Sequence, residues 1–158
     1  YTPVPRLAAS IDEQMKSHGL VPGEYASAHF RVMYGNRKWR DPLETINVTV
    51  NGINCASNLL PGAPVYFAAD VKFAVDVAIE YGKQNSLPVA SLEFNESPSH
   101  FDKDDDWRLR NESHYDDTFL DLYMLAESKC VAYSNGGYGV FGSLLSHNSN
   151  CTDRFFMR

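Results

Sequence analysis

The sequence predicts an α/β fold, in which helices cover both faces of a parallel β-sheet. Segments with strand-like and helix-like patterns alternate along the chain, as they do in parallel sheets connected by helices. Residues 65–69 form a continuous apolar run, which is typical of a strand buried on both faces. A chain of 158 residues is long enough for one such domain with its own core.

The first predicted element is a helix over residues 10–18. Ser10 and Glu13 have the spacing of a capping box, and Gly19 follows as a C-terminal stop. The same helix can also begin earlier, near Val4. Each start gives a short amphipathic helix ahead of the first strand.

The first strand is predicted over residues 25–34, where small or apolar residues alternate with Ser27, His29 and Arg31. This alternation predicts a strand with one polar face. A short helix over residues 51–60 ends at Pro61, and the apolar strand 65–69 then leads into Asp70.

The second half of the chain continues the alternation of helices and strands. Its long polar stretch, residues 94–115, is predicted to be a loop. The remaining predicted elements are a helix at 71–84, a strand at 88–92, a helix at 118–128, a strand at 130–133 and a helix at 138–146. The whole is a single Rossmann-like domain over residues 1–158.

Three polar segments lie at or near the carboxyl ends of strands of this predicted sheet. They are His29 with Arg31, Asp70, and the glycine-rich loop 134–139. Because parallel sheets bind ligands beyond the carboxyl ends of their strands, these segments are expected to meet at one edge. Glycines also let backbone N–H groups approach an anion at the start of a helix.

The net charge and the apolar content of the sequence argue against some classes of binding partner and against a membrane span. The net charge of −6 argues against a nucleic-acid partner, because phosphate backbones are bound by basic surfaces. No apolar run approaches the roughly 20 residues of a membrane span, so no transmembrane segment is expected. The start of the chain also lacks the charged-then-apolar pattern of a signal segment, which fits a mature or trimmed product.

Acceptor triplets and cysteines favour a secretory compartment. Four Asn-x-Ser/Thr triplets occur, where chance gives about 1.3. Cys130 and Cys151 flank the glycine loop and its following helix, and they are the expected disulfide pair, with Cys55 as a buried thiol. The triplets begin at Asn47, Asn95, Asn111 and Asn150.

The ordered set of segments resembles the fucosyltransferase superfamily of protein O-fucosyltransferases and α-1,6-fucosyltransferases. Residues 28–31, Ala-His-Phe-Arg, resemble its His-x-Arg segment, and residues 65–70 resemble its strand ending in Asp. Residues 121–139 are similar to its last helix, strand and donor loop. The resemblance covers residues 22–146. Residues 61–64 and the Gly-Gly-aromatic-Gly loop are similar to proteins predicted for diatoms and related algae.

The resemblance implies one half of a GT-B-like architecture that binds GDP-fucose without a metal or other cofactor. Arg31 would contact the pyrophosphate and assist its departure, and His29 would orient the donor. Asp70 would hydrogen-bond toward the nucleotide, while Gly136, Gly137, Tyr138 and Gly139 would supply the donor loop. The implied compartment is the secretory pathway or the Golgi lumen.

Two departures from the family pattern leave a second function open. The loop has Gly137-Tyr138-Gly139 where the family carries serines, and a second domain is needed to complete the family's cleft. The alternative is a non-catalytic accessory subunit of a larger protein assembly, such as an algal, membrane-associated photosynthetic one. A plastid or another organelle would then be its location.

Each site residue also has a purely structural interpretation. His29 and Arg31 can decorate a strand surface, Asp70 can cap the following helix, and the glycines can form a simple reversal. The acidic run at residues 102–106 departs from a calcium-binding loop at its glycine and glutamate positions, and we interpret it as a solvated loop. No metal site is expected.

Overall fold

The computed structural model describes residues 2–33, 41–92 and 115–155. These ranges contain five helices and five strands in alternating order after the first helix. The elements are α1 (Pro5–Ser17), β1 (Ala26–Phe30), α2 (Pro42–Leu59), β2 (Val65–Ala69), α3 (Lys72–Gln84), β3 (Val89–Ala90), α4 (Asp116–Ala126), β4 (Cys130–Tyr133), α5 (Gly137–Leu145) and β5 (Thr152–Arg154).

The strands form one parallel sheet in the order β3-β2-β1-β4-β5. The chain therefore moves outward from β1 to β3 and then returns to the other side of β1 with β4 and β5. This reversal makes the β1–β4 boundary the switch point at which such sheets bind ligands. The predicted α/β fold with a parallel sheet is confirmed.

Helices cover both faces of the sheet. α2 and α3 pack on one face, and α4 and α5 pack on the other, where α1 lies against α4. All five residues of β1 are buried in consequence, including Ser27 and His29. Ser27 and His29 share one face of the strand, as predicted, but α4 and α5 cover that face. The strand also ends at Phe30, before the predicted residue 34.

α1 begins at Pro5, so the helix start predicted at Ser10 is wrong and the earlier start near Val4 is confirmed. Val4 is the N-cap residue, and proline is well suited to the first turn because its missing N–H would have no partner there. The Ser10 hydroxyl instead lies within the helix and donates to the Arg6 carbonyl at 3.2 Å.

Two further elements differ from the prediction. α2 begins at Pro42, nine residues before the predicted start at residue 51, and the Asp41 carboxylate accepts a hydrogen bond from the Leu43 N–H at 2.8 Å. β5 was not predicted at all, since its three residues include the charged Asp153 and Arg154. Pairing with β4 defines it, and no local pattern does.

The predicted disulfide is present between Cys130 and Cys151, whose Cα atoms lie 4.8 Å apart. Cys55 is a free thiol on α2, and it is only partly buried. Among the helices of the described ranges, none has the length and apolar character needed to cross a lipid bilayer.

Candidate anion site at the switch point of the sheet

The glycine loop and Arg31 lie side by side at the carboxyl edge of β1 and β4. A Cβ built on Gly136 would be 3.6 Å from the Cγ of Arg31. Gly136 has a φ of 101°, a conformation that favours glycine. The structure therefore brings the two predicted segments to one edge.

Backbone hydrogen bonds hold the ends of β1 and β4 together beneath this loop. The Arg31 N–H donates to the Ser134 hydroxyl at 2.9 Å, and the Ser134 N–H donates to the His29 carbonyl at 3.0 Å. Ser134 is buried. Because both bonds are made at the first residues beyond the strands, the position of the Arg31 backbone is fixed.

Asp70 fixes the side chain of Arg31 as well. Its carboxylate accepts from the Val32 N–H at 2.7 Å and from the Met33 N–H at 3.2 Å, and it lies 3.3 Å from the Nε of Arg31. Asp70 is 6% exposed. The interpretation of Asp70 as a helix cap is wrong, since α3 has Val71 as its N-cap and no side-chain cap.

The Arg31 guanidinium remains partly accessible. Its side chain is 27% exposed, and Asp70 is its only ion-pair partner within the described residues. Because that pair uses the Nε, the two terminal nitrogens can face an anion bidentately. Arg31 is thus a cation positioned by the chain's own backbone and carboxylate.

His29 lies beneath the loop. It is 4% exposed, its ring centroid lies 4.9 Å from that of Tyr138, and its Nδ1 is buried without a hydrogen-bond partner within the described residues. Burial, reinforced by the charge of Arg31, lowers the pKa of His29 to about 3. The ring is therefore neutral. The interpretation of His29 as surface decoration is wrong.

Tyr138 and Gly139 pack inward, whereas Gly137 faces open space. The Tyr138 hydroxyl donates to the Thr118 carbonyl of α4. A Cβ on Gly139 would lie 2.7 Å from the Tyr133 Cβ and 2.9 Å from the His29 Nδ1. A Cβ on Gly137 would meet no atom within 4 Å. Only the first of the three residues in Gly137-Tyr138-Gly139 thus borders an open space.

The N-terminus of α5 completes the arrangement. Its N-cap is Gly136, and no side chain of the described residues caps it. The first N–H groups of a helix have no partner within the helix and carry partial positive charge, so they attract anions. With Arg31 beside the loop, the edge offers backbone donors and one fixed cation to the same anion.

Three residues of this edge were not predicted as individual contributors. Ser134 links the two strands, and Asn135 accepts a hydrogen bond from the Nη2 of Arg154 at 2.6 Å. Ser134 directly follows β4, so the rule that placed Arg31 and Asp70 could also have found it. Arg154 belongs to the unpredicted β5, and no sequence signal identifies it.

The described ranges contain no group of metal-ligating side chains. In the described ranges, no three His, Cys, Asp or Glu side chains form a group that could hold a metal ion. The acidic run at residues 102–106 lies outside these ranges, as do the acceptor sites Asn95 and Asn111. Asn47 and Asn150 are exposed.

No protein-family model matches this chain, and a search of curated proteins finds no match.

Proposed function

We propose that this chain binds a nucleoside diphosphate sugar of the GDP-fucose type through its diphosphate. The observation that carries the proposal is the position of Arg31 beside the uncapped N-terminus of α5, at the switch point of the sheet. A guanidinium and helix N–H groups are complementary to phosphate oxygens. The guanosine and fucose parts of the proposal rest on the family resemblance.

The residues have different roles in this proposal. Arg31 contacts the diphosphate and stabilises the negative charge that develops on it as the sugar leaves. Asp70 acts as a positioning residue, because its oxygens are occupied by Arg31 and two backbone N–H groups. His29 supports the first turn of α5 from below, and Gly137 leaves space for the ligand.

Sugar transfer requires a second domain that recognises the acceptor, as the resemblance implies. The described part of the chain supplies a donor-binding half only. We propose a secretory or Golgi location, which the Cys130–Cys151 disulfide supports because disulfides persist in oxidising compartments.

Calorimetric titration with GDP and GDP-fucose tests the proposal. Arg31→Ala should weaken binding by about 1.5–3 kcal/mol, the range of a hydrogen bond to a charged group. Arg6→Ala is the matched control, since Arg6 is an exposed arginine paired with Asp116. If the native chain does not bind GDP, the proposal fails.

Gly137→Val separates a binding loop from a structural turn. Its new side chain meets no protein atom, so the free energy of unfolding should change by less than about 0.5 kcal/mol. GDP affinity should nevertheless fall severalfold, because the side chain enters the space assigned to phosphate. A loss of stability with unchanged GDP affinity would contradict the assignment.

A second candidate function is the non-catalytic accessory subunit, and one surface favours it. α5 exposes three apolar side chains, Val140, Phe141 and Leu144, of which Leu144 is 67% exposed. Apolar clusters of this kind occur at protein–protein contacts. An accessory subunit should keep its partner when Arg31 is replaced and lose it when Leu144 is replaced by Asp.

A further inference from the structure

An open cleft lies between the C-terminal half of α2 and the edge strand β5. Its volume is about 700 Å³. α2 packs on the face of the sheet opposite α5, so the cleft is separate from the N-terminal turn of α5. The polar lining residues are Asn51, Asn54, Asn58, Asp153 and Arg154, and the lining also includes Leu59.

The three asparagines lie on one stripe of α2, at spacings of three and four residues. All three are exposed. Asparagine is a weaker helix former than alanine, lysine or glutamate, because its side chain competes for backbone hydrogen bonds. Asn54 gains a hydrogen bond from the Tyr81 hydroxyl, whereas Asn51 and Asn58 lower helix stability without a side-chain hydrogen bond in return among the described residues. A departure from local preference of this kind is typical of a functional surface.

Some polar groups of the cleft already make hydrogen bonds within the protein, and others can bond to a ligand. The Asn54 Oδ1 accepts from the Tyr81 hydroxyl at 2.9 Å, which leaves its N–H groups as donors. Asn51 and Asn58 make no side-chain hydrogen bond within the described residues, so each offers a donor and an acceptor. Asp153 accepts from the Arg154 N–H at 2.7 Å and from the Cys55 thiol at 3.5 Å, and each of its oxygens can accept again.

The charges and surfaces of the cleft select the class of ligand. Asp153 and Arg154 are adjacent and of opposite sign, so neither a cation nor an anion is favoured overall. An apolar ligand would remove three amide groups from water without replacing their hydrogen bonds. Hydroxyl groups donate and accept as amides do, and the partly exposed Leu59 offers apolar surface to ring carbons.

We propose that this cleft binds a saccharide. The inference goes beyond the nucleotide site and stands without it, because none of its lining residues contacts the diphosphate in the proposed function. A connection exists all the same, since Arg154 borders the cleft and donates to Asn135 in the glycine loop.

Titration of the nitrogen-15-labelled chain, followed by NMR, tests this site. The probes are maltotriose, mannotriose and N,N′-diacetylchitobiose, and glycerol at equal hydroxyl concentration is the control for weak, unspecific effects. At least one saccharide should shift the side-chain NH₂ signals of Asn51, Asn54 and Asn58 saturably. The signals of Gly136 and Gly137 should shift much less.

The double variant Asn51→Ala, Asn58→Ala should weaken saccharide binding at least tenfold. It should remain folded, because both positions are exposed and alanine favours the helix. Asn47→Ala, on the same helix but outside the lining, should bind as the native chain does. The proposal is overturned if none of the three saccharides shifts the asparagine signals, or if the double variant binds as well as the Asn47 control. GDP affinity should not change in the double variant, so the two proposals can fail separately.

Discussion

The two faces of the sheet are built from different chemistry. On the face covered by α4 and α5, buried polar groups meet: Ser27 with Ser128 at 2.9 Å, and Tyr66 with Asp121. On the face covered by α2, the buried contacts are largely apolar, such as Phe30 with Phe155, whose ring centroids lie 6.5 Å apart. The Cys130–Cys151 disulfide lies against the C-terminal end of this helix, with both sulfurs within 3.9 Å of the Leu59 carbonyl.

This difference matters for function. Buried polar pairs have few alternative arrangements, because any shift leaves a donor or acceptor without a partner. On the same face, the Tyr138 hydroxyl donates to the Thr118 carbonyl of α4, which fixes the first turn of α5 and, with it, the edge that carries Arg31. The α2 face obtains its strength from apolar packing and a covalent link, which leaves polar side chains such as Asn51 free at the surface.

Removing the disulfide should have the largest effect on the α2 face. Its cysteines are 21 residues apart, so replacing both by Ala should lower the free energy of unfolding by about 3 kcal/mol. Urea unfolding with and without reductant measures this change. Replacing Cys55 by Ala is the control, and it should cost much less because Cys55 is unpaired. Equal effects of the two replacements would contradict a stabilising role of the disulfide.

Matched glycine replacements compare the tightness of the two faces. Gly139→Ala places a Cβ within 2.9 Å of both the Tyr133 Cβ and the His29 ring, and should destabilise by about 1–3 kcal/mol. Gly52→Ala places a Cβ 2.8 Å from the Cζ of the buried Phe155 ring. Because Cζ lies on the axis about which the ring turns, the whole side chain must shift, and the preference of alanine for the helix offsets part of this cost. Thermal unfolding should therefore show a loss for both variants and a larger one for Gly139→Ala, whose new Cβ is crowded by two side chains, one of them at its own Cβ. A larger loss for Gly52→Ala would reverse the comparison.

Two buried groups on the α4–α5 face should oppose each other as pH changes. Burial raises the pKa of Asp121 from 3.8 to about 7. The hydrogen bond from Tyr66 opposes this rise, and the negative charge of Asp117 adds to it. The folded chain thus retains a proton that the unfolded chain releases, so this group makes stability fall as pH rises from about 4 to 7. The pKa of His29 is lowered to about 3 from 6.5, so the unfolded chain binds the extra proton and stability rises with pH from about 3 to 6.5.

Replacing one of the two groups at a time should reveal how the other changes the free energy of unfolding with pH. Asp121→Asn leaves the His29 contribution, so stability should rise with pH between about 4 and 6.5, by up to roughly 1.4 kcal/mol per pH unit. His29→Leu leaves the Asp121 contribution, so stability should fall over the same interval. Urea unfolding at several pH values, relative to the native chain, measures both slopes. Parallel slopes in the two variants would contradict the assignment.

The smallest effect concerns Cys55 in the cleft beside β5. Burial, followed by the charge and hydrogen bond of Asp153, raises the pKa of its thiol to about 12. Asp153→Asn should lower that pKa, because an amide carries no negative charge, and should increase the rate of alkylation by iodoacetamide severalfold. Asp76→Asn, on the exposed surface of α3, should leave the rate unchanged. An unchanged rate in Asp153→Asn would mean that burial alone suppresses the thiol.

Local patterns predicted much of the fold. The apolar run of β2, the periodicity of α3 and the strand β4 are found close to their predicted bounds, because side-chain burial there follows the local sequence. β5 and the first half of α2 were missed for the opposite reason. Asp153 and Arg154 adopt a strand only because β4 pairs with them, and residues 42–50 include weak helix formers, of which Thr45, Val48 and Thr49 are buried.

For the site, the sequence by itself determined which polar residues lie at or near the carboxyl ends of the strands, and the topology of a parallel sheet then brought Arg31, Asp70 and the glycine loop to one edge. It also determined the cysteine pair. The tertiary structure alone decided what each side chain contacts: Asp70 binds the backbone after β1 instead of capping α3, and His29 lies under α5. The physical reason is that the approximate position of a strand follows short-range pattern, whereas hydrogen-bond partners depend on residues distant in the chain, such as Ser134 and Arg154.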